Sequence, residues 1–139
     1  MLININPLLG PDLLYTLRSM GHGDEIAIVD GNYPAETDGK RVIRADGLSA
    51  GAMLNAVISV LPIDTMVEQA VFIPSVEKEQ PVHAAFGAAI AAAAPGVKIF
   101  PLKGAAFYER VKAAHAIIAT SEPALYGNII LRKGVVYPS

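Results

Sequence analysis

Short apolar runs and stretches of helical spacing take turns along this chain, with glycine or proline between nearly every two. Pro11 suits a first helical turn, and Leu13, Leu14, Leu17 and Met20 follow at helical spacing until Gly21 supplies a stop. Glu25 to Asp30 reads as a buried strand ending in an acid, and Gly31-Asn32-Tyr33-Pro34 opens a loop that reaches about Lys40. Val42 and Ile43 start a second strand that Asp46-Gly47 closes. Ser49 can cap a helix carrying Met53, Leu54, Val57, Ile58 and Leu61. Ala70 to Val76 is a third strand, whose Pro74 marks an edge or an end. An alanine-rich helix from His83 to Ala94 stops at Pro95-Gly96, and Val97 to Leu102 is a fourth strand. A helix from Ala105 to Ala114 precedes strands at His115 to Thr120 and Asn128 to Val136. Strands alternating with helices of this length predict an α/β fold, with a mostly parallel sheet covered on both faces. No repeat or linker interrupts residues 1–139, so a single domain is expected.

Composition narrows the functional classes. The chain is 53% hydrophobic and 17% charged, enough apolar material for a core and less charge than soluble proteins usually carry. So few charges on a small domain point to surface buried against further copies of the chain. Eleven Lys and Arg stand against thirteen Asp and Glu, which leaves no basic excess for nucleic acid. Without cysteine there are no disulfides, thiolate metal sites or cysteine nucleophiles. The apolar stretch from Ala84 to Ala94 is too short for a transmembrane helix, and Met1 to Gly10 lacks the pattern of a signal peptide. A cytoplasmic chain with no membrane or nucleic-acid partner is expected.

In a sheet of this kind ligands gather beyond the strand ends, which directs attention to Gly21–Asn32 and Tyr126–Asn128. His22 lies between two glycines, with little local cover, and imidazole exchanges protons near neutrality. On the residues alone, a solvated loop histidine at a helix end outweighs a catalytic one. Asp30 can bind a ligand hydroxyl, or equally close an Asx-turn over Gly31 to Pro34. In an extended segment Tyr126 and Asn128 would point to one side and offer a hydroxyl and an amide to a polyhydroxyl ligand, with packing as the plainer reading. His83 and His115 open a helix and a strand and read as structural. Phe107 and Tyr108 read as packing residues, and Arg44 as a partner of Asp46. No metal-ligand spacing, P-loop, dinucleotide fingerprint or nucleophile elbow is present, so neither metal nor cofactor is expected.

Several phrases then line up in order. Pro7-Leu8-Leu9, Met20-Gly21-His22-Gly23-Asp24-Glu25-Ile26, Asp30, Val42-Ile43-Arg44-Ala45-Asp46-Gly47, Phe107-Tyr108-Glu109-Arg110 and Tyr126-Gly127-Asn128-Ile129-Ile130-Leu131 resemble the bacterial L-fucose mutarotases, of the same superfamily as D-ribose pyranase. The similarity runs from about Ile5 to about Val135 and is weakest between Ile63 and Leu102. It implies a three-layer α/β/α sandwich that assembles into rings, often stacked as decamers, with sites at subunit boundaries. It also implies a cofactor-free isomerase that exchanges the anomers of a free monosaccharide, L-fucose first. A ribose-type pyranase and a non-catalytic sugar-binding or transport-accessory protein are the alternatives. The resemblance makes His22 the catalytic residue and Asp30, Tyr126, Gly127 and Asn128 the substrate-binding ones. Two positions depart from the fucose pattern: Gly104, beside Lys103, stands where those enzymes place an arginine, and Asn32 stands where a histidine is common.

Overall fold

The computed structural model describes all 139 residues. Six strands form one sheet: β1 (Glu25–Val29), β2 (Val42–Ala45), β3 (Val71–Pro74), β4 (Phe100–Leu102), β5 (Ala116–Thr120) and β6 (Ile129–Arg132). Five helices accompany them: α1 (Pro11–Ser19), α2 (Ala35–Asp38), α3 (Ala50–Ile58), α4 (Pro81–Ala93) and α5 (Gly104–Ala113). Pro11 and Pro81 open α1 and α4, where a missing N–H costs no helical bond. Ser49 caps α3 by accepting from the N–H of Ala52 at 3.1 Å.

Period-two alternation splits the core in two. Ile26 and Ile28 of β1 pack with Leu13 and Leu17 of α1, Met53, Leu54 and Val57 of α3, and Phe86 and Ile90 of α4. Ala27 and Val29 face the other way, against Ala35 of α2 and Phe107 and Val111 of α5. Helices therefore cover both faces. The second core is small, and Phe72 and Phe107 supply its bulk. Truncating either to alanine removes about 3–5 kcal/mol.

The strand order is β2-β5-β1-β6-β3-β4. The expected mostly parallel sheet is corrected here, for the sheet is mixed. β1–β5, β2–β5 and β3–β4 are parallel, whereas β6 runs antiparallel to both β1 and β3. The reason is chain length. Only Ser121–Asn128 separates β5 from β6, and a parallel crossover takes about a dozen residues or more. β6 therefore turns back and inserts between β1 and β3. Smaller differences follow the hydrogen bonds: α2 forms one turn inside the expected loop, α3 ends at Ile58 short of Leu61, and α4 starts at Pro81 rather than His83. Likewise β3 is confined to Val71–Pro74, β4 starts at Phe100 rather than Val97, and β6 stops at Arg132 rather than reaching Val136.

Since β6 alone is reversed, the C-terminal ends of β1 to β5 and the N-terminal end of β6 share one edge of the sheet, the carboxy pole. The opposite edge, the amino pole, carries the starts of β1 and β5 and the end of β6.

Candidate active site

At the carboxy pole, β1 delivers Asp30 beside the residues that open β6. The side-chain oxygen of Asn128 accepts from the Asp30 N–H at 2.7 Å, and Asp30 Oδ1 accepts from the Asn32 N–H at 2.8 Å. The Asx-turn is therefore present, and it uses only one carboxylate oxygen. Asp30 Oδ2, the Asn128 amide N–H groups and the Tyr126 hydroxyl have no protein partner, and none is sealed in the core. Tyr126 is 53% exposed while Asp30 and Asn128 are buried. Residues at this one pole thus carry an acceptor, a donor and a group that is both, the combination a polyhydroxyl ligand matches.

The segment before β6 is not extended, as the spacing of Tyr126 and Asn128 had suggested. Tyr126 has a φ of 59°, the left-handed region that non-glycine residues seldom occupy. Its carbonyl accepts from the Asn128 N–H at 2.8 Å and from His83 Nε2–H at 2.8 Å. Gly127 fits because a Cβ there would lie 2.9 Å from Glu122 Cγ and 3.0 Å from the Ala124 carbonyl oxygen. Glu122 holds this loop through both carboxylate oxygens, which accept from the N–H groups of Ala50 and Ala124.

His22 lies elsewhere. It precedes β1 at the amino pole, and β1 alone spans roughly 13 Å, so one chain does not bring His22 to Asp30. What surrounds His22 is well defined. Its Nε2–H donates to Asp64 Oδ2 at 3.1 Å, and Arg132 Nε–H donates to the same oxygen at 2.8 Å. The Asp64 side chain is wholly buried, while that of His22 is 40% exposed. Burial pushes the Asp64 carboxyl upward, but Arg132, the Met66 N–H and His22 outweigh it and hold Asp64 below the usual carboxylate range. Asp64 therefore stays ionised and fixes the His22 tautomer, and His22 Nδ1 has no partner within the chain.

The loop under His22 is equally fixed. Lys133, at the end of β6, donates to the carbonyls of Leu17 and Met20 at 2.8 and 2.6 Å, closing the end of α1. Burial first, and Arg18 second, push the Lys133 ammonium below its ordinary range. Gly23 has a φ of 88°, and a Cβ there would lie 2.9 Å from Arg132 Nη2. Glycine adopts this positive φ without strain where the loop passes the guanidinium that braces Asp64.

The remaining candidates fall as follows. Phe107 packs in the core, but Tyr108 is half-exposed and stacks on Tyr33 with ring centroids 5.4 Å apart. Burial and a hydrogen bond to Asp38 push the Tyr33 phenol far above its ordinary range. Arg44 pairs with Asp46 at 2.7 Å. Arg110 grips Glu25 through two hydrogen bonds and lies 3.8 Å above the centre of the Phe72 ring. No three His, Asp or Glu side chains gather where a metal could be held, and no helix is long and apolar enough to cross a membrane. Asp64 and His83 are the polar residues that motif reading passes over. Each pairs with a group more than forty positions away, so only the order Leu61-Pro62-Ile63-Asp64, an acid ending an apolar run, hints at the first.

The whole arrangement has close relatives of known structure. A fucose mutarotase from Streptococcus pneumoniae, solved in complex with L-fucose, is 38% identical and superposes with a TM-score of 0.92, covering 98% of this chain and all of that one. FucU from Bifidobacterium longum is also 38% identical, with a TM-score of 0.91 over 96% of this chain and all of that one. RbsD from Bacillus subtilis, solved with D-ribose, shares the fold at 20% identity and a TM-score of 0.70, over 99% of this chain and all of that one. Across residues 3–136 the sequence matches the model of one family, and by that match the chain belongs to the RbsD / FucU transport protein family.

Proposed function

We propose that this chain is a monosaccharide mutarotase, with L-fucose as its first substrate. The carrying observation is the group at the carboxy pole, where Asp30 Oδ2, the N–H groups of the Asn128 amide and the Tyr126 hydroxyl stand unpaired, in a chain 38% identical from end to end to a fucose mutarotase. These groups hold sugar hydroxyls. His22 moves the proton. Mutarotation removes a proton from the anomeric hydroxyl and delivers one to the ring oxygen; the ring opens, the aldehyde turns its other face, and closure returns both protons. Positioning beside a neutral-pH acid–base group meets that demand.

Because His22 and Asp30 lie at opposite ends of β1, a complete site needs two copies, His22 of one facing the carboxy pole of the next. A homo-oligomer with sites at its boundaries answers this requirement, and the low charge of the chain agrees with it.

Saturation-transfer NMR at the anomeric protons across a panel of free sugars tests the reading. Accelerated exchange on L-fucose is expected; binding without acceleration would replace the enzyme by a sugar-binding protein. Gly104 bears on the choice of sugar. A Cβ there meets nothing within 4 Å, so the backbone accepts a side chain, and Gly104→Arg should tighten fucose. Faster exchange on ribose than on fucose, with Gly104→Arg only harmful, would move the assignment to a pyranase.

A further inference from the structure

His83 occupies the third position of α4 and is 3% exposed, its ring tilted against that of Phe86 with centroids 6.2 Å apart. Its Nε2 lies 2.8 Å from the carbonyl oxygen of Tyr126. A carbonyl can only accept, so Nε2 carries the hydrogen, and in the tautomer with a single N–H the Nδ1 is bare. That Nδ1 is buried without any partner, alone among the buried side-chain polar atoms of the protein. A core that needed only bulk here would be served by an apolar ring, with no nitrogen left unpaired. What imidazole adds is one directed N–H, donated to the carbonyl of Tyr126, the residue that holds the left-handed φ of 59°.

The same carbonyl accepts from the Asn128 N–H, and the Asn128 side chain accepts from the Asp30 N–H. A chain of hydrogen bonds therefore runs from α4 through the turn to the end of β1. We propose that His83 is a positioning residue for the sugar site, its Nε2–H locking the Tyr126 carbonyl and thereby the turn that aligns Tyr126, Asn128 and Asp30. His83 itself does not touch the sugar. This proposal rests on the sugar-site reading above, deepens it, and concerns binding rather than proton transfer.

The test compares His83→Phe, which keeps the ring and loses the donor, with His83→Gln, whose amide N–H reaches about as far as Nε2. Wild type and variants are read by anomer exchange, giving KM and kcat separately, and by the backbone amide NMR signals of Tyr126 to Asn128 and of Asp30. His83→Phe should raise KM by about 10-fold, the equivalent of one hydrogen bond in the bound state, with kcat changed little and those four amides shifted or broadened. His83→Gln should recover most of both. The imidazole nitrogen shifts of the unliganded wild type should report hydrogen on Nε2, and this needs neither a variant nor a sugar. A ring with hydrogen on Nδ1 alone, or a folded His83→Phe protein with unmoved amides and unchanged KM, overturns the proposal. A wild type that neither binds nor exchanges any sugar overturns instead the mutarotase reading, while the nitrogen shifts and amides still decide whether His83 holds the turn.

Discussion

Two side chains at the amino pole show how the same kind of group serves different ends. His22 is half-exposed with an ionised partner, whereas His115 is part-buried and faces Arg41, Lys40 and Lys133, with Asp24 the one opposing charge. Burial and then Arg41 push the His115 imidazole below its ordinary value. Below about pH 6.5 the unfolded chain takes up a proton there that the folded chain resists, so this residue's contribution to stability is present above that pH and is lost as pH falls toward the lowered folded value. Thermal unfolding measured from pH 7.5 down to 5 should show the loss, and His115→Asn should flatten it. For His22 the readout is rate. His22→Gln should keep the fold and slow anomer exchange by roughly 100-fold or more, and unchanged exchange in a correctly assembled variant would remove it from the mechanism.

Between residue and fold lies the loop from Met20 to Asp24, whose shape is set by contacts from β6. Gly23→Ala must place a Cβ at positive φ and against Arg132, a change that costs about 1 kcal/mol or more. It should also loosen Asp64 and lower exchange well beyond what the stability loss explains; a stable variant with full activity would show that the Arg132 brace is dispensable. Elements of this kind were legible in the sequence to different degrees. Pro11, Ser49 and Pro95-Gly96 announce helix ends by local chemistry, and α1 and α3 begin, and α4 ends, beside those residues. The antiparallel course of β6 is written in the brevity of Ser121–Asn128, a statement about connection length that hydrophobic periodicity does not carry. The left-handed turn at Tyr126 is less visible still. No glycine marks that position, and the conformation is held by His83 from a distant helix. Asp30 and Asn128 could be named from their place at strand ends, but their bond to each other joins positions 98 apart. Asp64 leaves little mark in the sequence for the same reason. Its role exists only once Arg132 and His22 converge on it.

At the scale of the whole molecule, the separation of His22 from Asp30 by the length of β1 makes a direct prediction about mixed assemblies. His22→Gln and Asp30→Asn proteins should each be nearly inactive. Dissociated together and reassembled in equal amounts, they should recover about one quarter of wild-type exchange, because random partners then build some boundaries from two intact halves. No recovery from a mixture shown to share subunits would place the whole site within one chain. In the proposed assembly the same separation makes each copy a lender and a borrower. A two-fold pair or a closed ring leaves every half matched, while an open row strands one unmatched half at each end. Activity per chain thereby becomes a gauge of closure: it stays level on dilution for as long as the assembly remains closed, and falls when it breaks open, before any chain unfolds.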